Sequence, residues 1–227
     1  MKSFRICMQN IRKWGSNSRI KMCLIMSFLF VYSYISGMWK IIPLVGEKMN
    51  PWIFPFLFCW RFMKIVFMAP IVFIFCDAPF IDSNQSYVML RTSRKKWCFG
   101  QVLYIYAGSV IYAFVLFFST IIINIGHIKW GTSWGKVLGS AGTSTVLSTL
   151  GINYTTVKVP AIVIRYYTPA QAMFFSFLLM VLSFIFIGLL IYTVNVITKT
   201  NVAGTIIAGF FAVSYTHLRA HETVLDL

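Results

Sequence analysis

Ser133 lies within Gly131-Thr132-Ser133-Trp134-Gly135, a G-x-S-x-G spacing that in hydrolases holds a nucleophilic serine on a sharp turn. That chemistry needs a histidine to take the serine proton and an acid to orient the histidine. His127, four residues upstream, is the candidate base, and Glu47, Asp77 and Asp82 are the candidate acids. Two of these acids, Asp77 and Asp82, fall on the opposite membrane face in the topology derived below. A chance match in a Gly/Ser-rich loop is the simpler account, with His127 as an interfacial polar residue. A phosphate loop is missing, because Gly135-Lys136 is followed by Val137 and lacks the upstream glycine. The five cysteines (Cys7, Cys23, Cys59, Cys76, Cys98) have no CxxC spacing and read as small hydrophobes. So few acids do not readily furnish a carboxylate-rich metal or proton-relay centre. The chain is therefore read as a non-enzyme with no catalytic, metal or cofactor-binding residue.

His217, His221 and Glu222 form an H-x-x-x-H-E cluster at helical spacing, a pattern that invites a metal site. Its surroundings argue otherwise. Val213 to Thr223 reads residue for residue as one frame of the transposase adapter used in short-read sequencing libraries. Thr223 to Leu227 fits a variable index with further adapter behind it. Residues 213–227 thus resemble a translated sequencing adapter and belong outside fold reasoning. On this reading the native sequence stops near Phe211, inside an apolar run, and the natural C-terminus is missing.

The elements that position everything else are apolar runs. Of 227 residues, 59% are hydrophobic and only 11% charged, more apolar surface than one soluble core of this size hides. The fold class expected is all-α, a polytopic transmembrane helix bundle. A basic N-terminus, residues 1–21, carries Lys2, Arg5, Arg12, Lys13, Arg19 and Lys21 with no acid. The transmembrane domain, residues 22–211, follows. Its first span is placed at 22–39, retained because no small-residue cleavage site follows and Tyr32, Tyr34 and Trp39 suit an interface. The prolines and glycine between Lys40 and Lys64 flank a short aromatic stretch, Trp52 to Trp60, expected at the outer interface. A second span is placed at 63–80, with a kink at Pro70. The third and fourth are placed at 102–125 and 170–197, the fourth opened by Thr168 as N-cap and Pro169 at the first helical position. A fifth, 202–211, is cut short, which leaves four complete spans.

Charge sets the orientation. Without Arg219, Glu222 and Asp226 the chain has 19 cations and three acids, a net charge of +16. Cations beside spans serve topology and contact with anionic lipid rather than nucleic acid. Arg91, Arg94, Lys95 and Lys96 place four cations in six residues, so the loop after the second span is cytoplasmic by the positive-inside rule. An even number of crossings separates it from the basic N-terminus, which is then cytoplasmic too. The outer segment, 126–169, has thinly spread cations and Trp130, Trp134, Tyr166 and Tyr167 as interface anchors. Asp82-Ser83-Asn84 can cap a helix running through Tyr87 and Leu90 to Trp97. This short cation-rich element has two readings: an interfacial helix lying on lipid, or a docking surface for a cytoplasmic partner.

At this loop the sequence resembles the membrane subunits of ABC-2-type transporters, the permeases of Gram-positive bacteria. The pieces that carry the resemblance are Asp77-Ala-Pro-Phe80, Arg91-x-x-Arg94-Lys95-Lys96-Trp97, Tyr167-Thr-Pro169 and Gly188-Leu-Leu-Ile-Tyr-Thr-Val-Asn195. It implies about six spans, two permeases forming the pathway as a homo- or heterodimer, and a separate cytoplasmic ATP-binding subunit. It also implies a bacterial plasma-membrane location and a substrate of peptide, drug or lipid-like class. The coupling helix that meets the ATPase would comprise Asp82, Tyr87, Leu90, Arg91, Arg94, Lys95, Lys96 and Trp97. An outer segment this long departs from the family pattern. The alternatives are a non-transport membrane protein, such as an assembly or sensor partner, and a membrane serine hydrolase using Ser133.

Overall fold

The computed structural model describes residues 2–81, 87, 92–142, 157–200 and 202–211; the adapter-like tail, 213–227, lies outside them. Helix α1 (Lys2–Arg12) leads through a 3-10 turn, Lys13–Gly15, into α2 (Ser18–Ser36). A 3-10 turn, Gly37–Lys40, and α3 (Ile42–Val45) prolong α2. After a buried 3-10 turn, Phe54–Phe58, come α4 (Arg61–Phe75) and α5 (Arg94–Asn124). The short α6 (Gly135–Ala141) and α7 (Ala161–Tyr166) precede α8 (Pro169–Thr198), and α9 covers 203–211. Among the described residues no strand occurs, only an isolated parallel bridge between Met49 and Ile128.

Three segments are long and apolar enough to cross a membrane: Ser18–Val45, Arg94–His127 and Pro169–Thr198, with mean hydropathies of 1.6, 2.1 and 2.8. At 1.5 Å per residue α5 and α8 each extend about 45 Å, beyond the roughly 30 Å of a hydrocarbon core. Only 33% of the most apolar window of α8 is buried, leaving Phe174, Leu179 and Phe186 more than half exposed. A lipid core accepts such a surface and water does not.

The expected spans at 22–39, 102–125 and 170–197 thus fall within long apolar helices, although two begin earlier than placed. The expected 63–80 corresponds to α4, which starts at Arg61 and ends at Phe75. At 15 residues, α4 covers about 22 Å, less than the hydrocarbon thickness. Pro79 explains the early stop: it offers no amide hydrogen and disfavours helical geometry at the residue before it. The Ala78–Pro79 peptide is cis and Phe80 has φ of 56°, within a turn over 76–80.

The described parts of 1–25, 67–113 and 181–227 pack as one unit, and those of 26–66 and 114–180 as another. In the first unit Phe75, Ile105, Tyr112, Phe184 and Ile191 are fully buried. Gly188 permits this packing. A Cβ on it would lie 2.5 Å from Ile105 Cγ2 and 2.9 Å from the Phe75 ring, so α8 reaches α4 and α5 only without a side chain there. Pro70, inside α4, cannot donate to the carbonyl four residues back, and its ring disturbs the neighbouring carbonyl as well. The Tyr112 hydroxyl of α5 donates to that neighbour, the Phe67 carbonyl, at 3.1 Å, the kind of outside partner that makes a proline tolerable in an apolar helix.

In the second unit the middle of the aromatic stretch 52–60 packs inside the protein: Phe54, Pro55, Phe56 and Leu57 are buried. Phe54 stacks edge-on with Phe117, and Tyr34 donates to the Phe56 carbonyl at 3.2 Å. A run too short to span still has to hide its rings, and Phe54 does so against Phe117 of α5 and Phe177 of α8. Trp134, expected as an interface anchor, is likewise buried and donates from Nε1 to the Tyr167 carbonyl at 3.0 Å. Trp130, Tyr166 and Tyr167 are exposed. Thr168 caps α8 as expected. Its hydroxyl accepts the Gln171 amide at 3.4 Å while Gln171 Oε1 accepts the Thr168 amide at 3.2 Å, a reciprocal capping box.

Candidate functional site

Of the residues assigned to a coupling element, Asp82, Leu90 and Arg91 lie outside the described residues. Tyr87 is helical and exposed. Arg94, Lys95, Lys96 and Trp97 form the opening turn of α5, which begins eight residues before the third span as placed from sequence. The described cations therefore belong to the long helix itself rather than to a separate short one. Extending the helix costs little, because long basic side chains keep their charges in water while their stems cover apolar surface.

The three side chains Arg94, Lys95 and Lys96 are exposed and Trp97 is buried. Placed in the first turn, these cations oppose the helix macrodipole, at about 0.3–1 kcal/mol each, and no acid in that turn offsets them. Helix α1 braces this turn: Ser3 Oγ donates to the Lys96 carbonyl at 2.8 Å, and the buried Asn10 donates from Nδ2 to Gln101 Oε1 at 2.9 Å. Ile6, Cys7 and Asn10 share the inward face of α1, and burial pushes the Cys7 thiol up from its ordinary value.

The turn after α4 is the second anchor. Arg19 grips both carboxylate oxygens of Asp77, with Nη1 at 3.0 Å from Oδ1 and Nη2 on Oδ2. One residue on, the Ala78 carbonyl accepts Asn195 Nδ2 at 2.8 Å, and Asn195 Oδ1 accepts the Gly204 amide at 2.7 Å. Phe80 stands edge-on to Tyr104 at 4.7 Å, and the Tyr104 hydroxyl accepts Trp14 Nε1 at 2.8 Å. The short turn 77–80 is thus tied to α2, α5 and α8, and Asn195 of α8 in turn holds the start of α9.

Sequence reasoning noticed Asp77-Ala-Pro-Phe80 and Asn195 only as pieces of a pattern and missed their partners. Two signals were available. A lone acid at the end of an apolar run needs a nearby cation, and a lone amide within one needs backbone to bond.

Around Gly131–Gly135 the glycines answer to Asn50. Its Nδ2 donates to the Ser133 carbonyl at 2.5 Å, and a Cβ on Gly135, whose φ is +74°, would lie 2.9 Å from the Asn50 amide carbon. His127 stacks on Trp39 at 4.7 Å and shares no hydrogen bond with Ser133. Glu47 meets Lys136 at 2.7 Å, a bond that holds the Glu47 carboxyl below its usual range and raises Lys136. Among the described residues no group of three metal-ligating side chains occurs.

No family model, curated protein or solved structure matches the chain.

Proposed function

We propose that the chain is the membrane subunit of an ABC-2-type transporter in a bacterial plasma membrane, with its N-terminus cytoplasmic. It would move a substrate by coupling to ATP hydrolysis on a separate subunit. One observation carries the reading: the exposed Arg94-Lys95-Lys96 turn is continuous with α5, so a partner that binds it holds the end of a helix about 45 Å long. The residues before the 82–91 segment support it, because Asp77 and Phe80 are pinned to α2 and α5.

The test is co-purification. An ATPase with a phosphate loop, encoded beside this gene, should be retained by the wild-type chain and lost when Arg94, Lys95 and Lys96 are all replaced by glutamate. Retention by the triple variant would sink the docking role. Absence of such an ATPase would favour an assembly or sensor protein.

A further inference from the structure

We propose that α1 is a membrane-surface helix: Phe4 and Met8 enter the boundary between headgroups and acyl chains of an anionic leaflet, and Arg5 and Arg12 meet its phosphates. At about 3.6 residues per turn, positions i, i+4 and i+7 share one face, and α1 carries three such stripes side by side. Ser3, Cys7 and Asn10 form the first, which together with Ile6 packs against α5 through the bonds to Lys96 and Gln101. Phe4, Met8 and Ile11 form the second. Arg5, Gln9 and Arg12 form the third, and these are all exposed.

Protein packing does not account for the second stripe. Phe4 is 57% and Met8 37% exposed, although the packed stripe lies only about 100° around the helix from them. A helix lying between protein and water needs one packed face and one polar face. An apolar face set between the packed one and a basic one fits a helix at a membrane surface beside a bundle, with protein at its side, lipid beneath and water above.

Its depth agrees. Helix α1 touches α5 at Lys96, Gly100 and Gln101, between the basic opening turn of α5 and the charge-free run that starts at Val102. A Cβ on Gly100 would lie 2.9 Å from Ile6 Cβ and 3.0 Å from the Ser3 carbonyl, so the helices meet there with no room for a side chain. Just beyond, Trp14 Nε1 donates to the Tyr104 hydroxyl, and indole and phenol groups favour the headgroup level. Charge selects the lipid. Residues 1–21 contain no acid, and Arg5 and Arg12 make no ion pair among the described residues. Lys13, which bonds Asn10 Oδ1 at 3.3 Å, is not counted. This placement requires a membrane but no ATPase.

Met8 serves as its own probe. In the full chain carrying Gln9→Met, held in phosphatidylglycerol nanodiscs, hydrogen peroxide converts accessible thioethers to sulfoxides, and tandem mass spectrometry reads positions 8 and 9 separately. Oxidation at Met8 should be at least about fivefold slower than at position 9, because the lipid-facing sulfur leaves water while its neighbour does not. Reversing both charges, Arg5→Glu with Arg12→Glu, should bring the two rates within about twofold in phosphatidylglycerol and leave the gap in phosphatidylcholine, whose headgroups carry no net charge. Met38 and Met49 are buried and stay slow while the chain is folded. If the reversed variant fails that check, Arg5→Gln with Arg12→Gln should narrow the gap in the same direction. Equal rates at positions 8 and 9 in the chain with both arginines overturn the membrane placement and would assign the face to a protein. A gap that survives loss of both arginines in phosphatidylglycerol overturns the recognition of anionic lipid.

Discussion

Arg19 and Asp77 are 58 residues apart in the chain and meet through both nitrogens and both oxygens of their side chains. The pair fastens the start of α2 to the turn that ends α4. It is not deeply buried, with the Arg19 side chain 37% and the Asp77 side chain 57% exposed, so solvent screens much of its attraction.

A double-mutant cycle over Arg19→Gln and Asp77→Asn should therefore give a coupling of about 1 kcal/mol, the upper range for exposed pairs, because the contact is forked. Thermal unfolding in detergent measures it. Strictly additive single effects would show that the fork contributes no coupling.

Asn195 bonds in two directions, to the Ala78 carbonyl and the Gly204 amide, and is 2% exposed. Asn195→Ala leaves both backbone groups without that partner and should cost about 1–3 kcal/mol. Asn195→Asp keeps the acceptor for Gly204 but removes the donor to Ala78. Hydrogen exchange at the Gly204 amide should accelerate in the alanine variant; unchanged exchange would mean that this bond does not hold α9.

Gly188→Ala places a methyl group against Ile105 and Phe75 inside their van der Waals distance. Overpacking of this kind costs about 1–3 kcal/mol. Pairing it with Ile105→Ala should recover part of the loss, and a rescue of zero would indicate that the backbone, not the side chain, sets the approach.

Glu47 and Lys136 supply a pH test. Lys136 holds the folded Glu47 carboxyl below its ordinary value of 4.5. The pair's contribution is thus fully present above that ordinary value and fades as pH falls through the lowered one. On the basic side, the raised Lys136 contributes until pH climbs through its raised folded value. The difference in unfolding midpoint between wild type and Glu47→Gln should be constant near neutrality and vanish in acid. A difference unaffected by acid would rule the pair out as its cause.

Where apolar residues run on without charge, as from Val102 and from Ala170, helix position was legible from sequence, and the Thr168-Pro169 start was legible from capping chemistry. The failures share a cause. The 52–60 stretch is as aromatic as an interface belt, and contacts distant in sequence, with Tyr34, Phe117, Phe177 and Trp134, bury its middle. The basic N-terminus reads as a topological signal because its charges are conspicuous, while Ile6, Cys7 and Asn10, which make α1 a packed helix, are few. Arg94, Lys95 and Lys96 were legible as a basic cluster, but no local feature shows that α5 already starts there. Asn10 with Gln101, and Arg19 with Asp77, are pairings across the fold, and spacing along the chain carries no trace of them.

Pro70 distributes stiffness unevenly through the protein. From Arg94 to Asn124 and from Ala170 to Thr198 the hydrogen-bond ladder meets no proline, so α5 and α8 resist bending along their length. In α4 one rung is missing, and a single phenolic hydroxyl shores up its neighbour. Bending is therefore expected in α4 around Pro70, and Tyr112→Phe, which removes the donor to the Phe67 carbonyl, should loosen that turn, as faster amide exchange there would show.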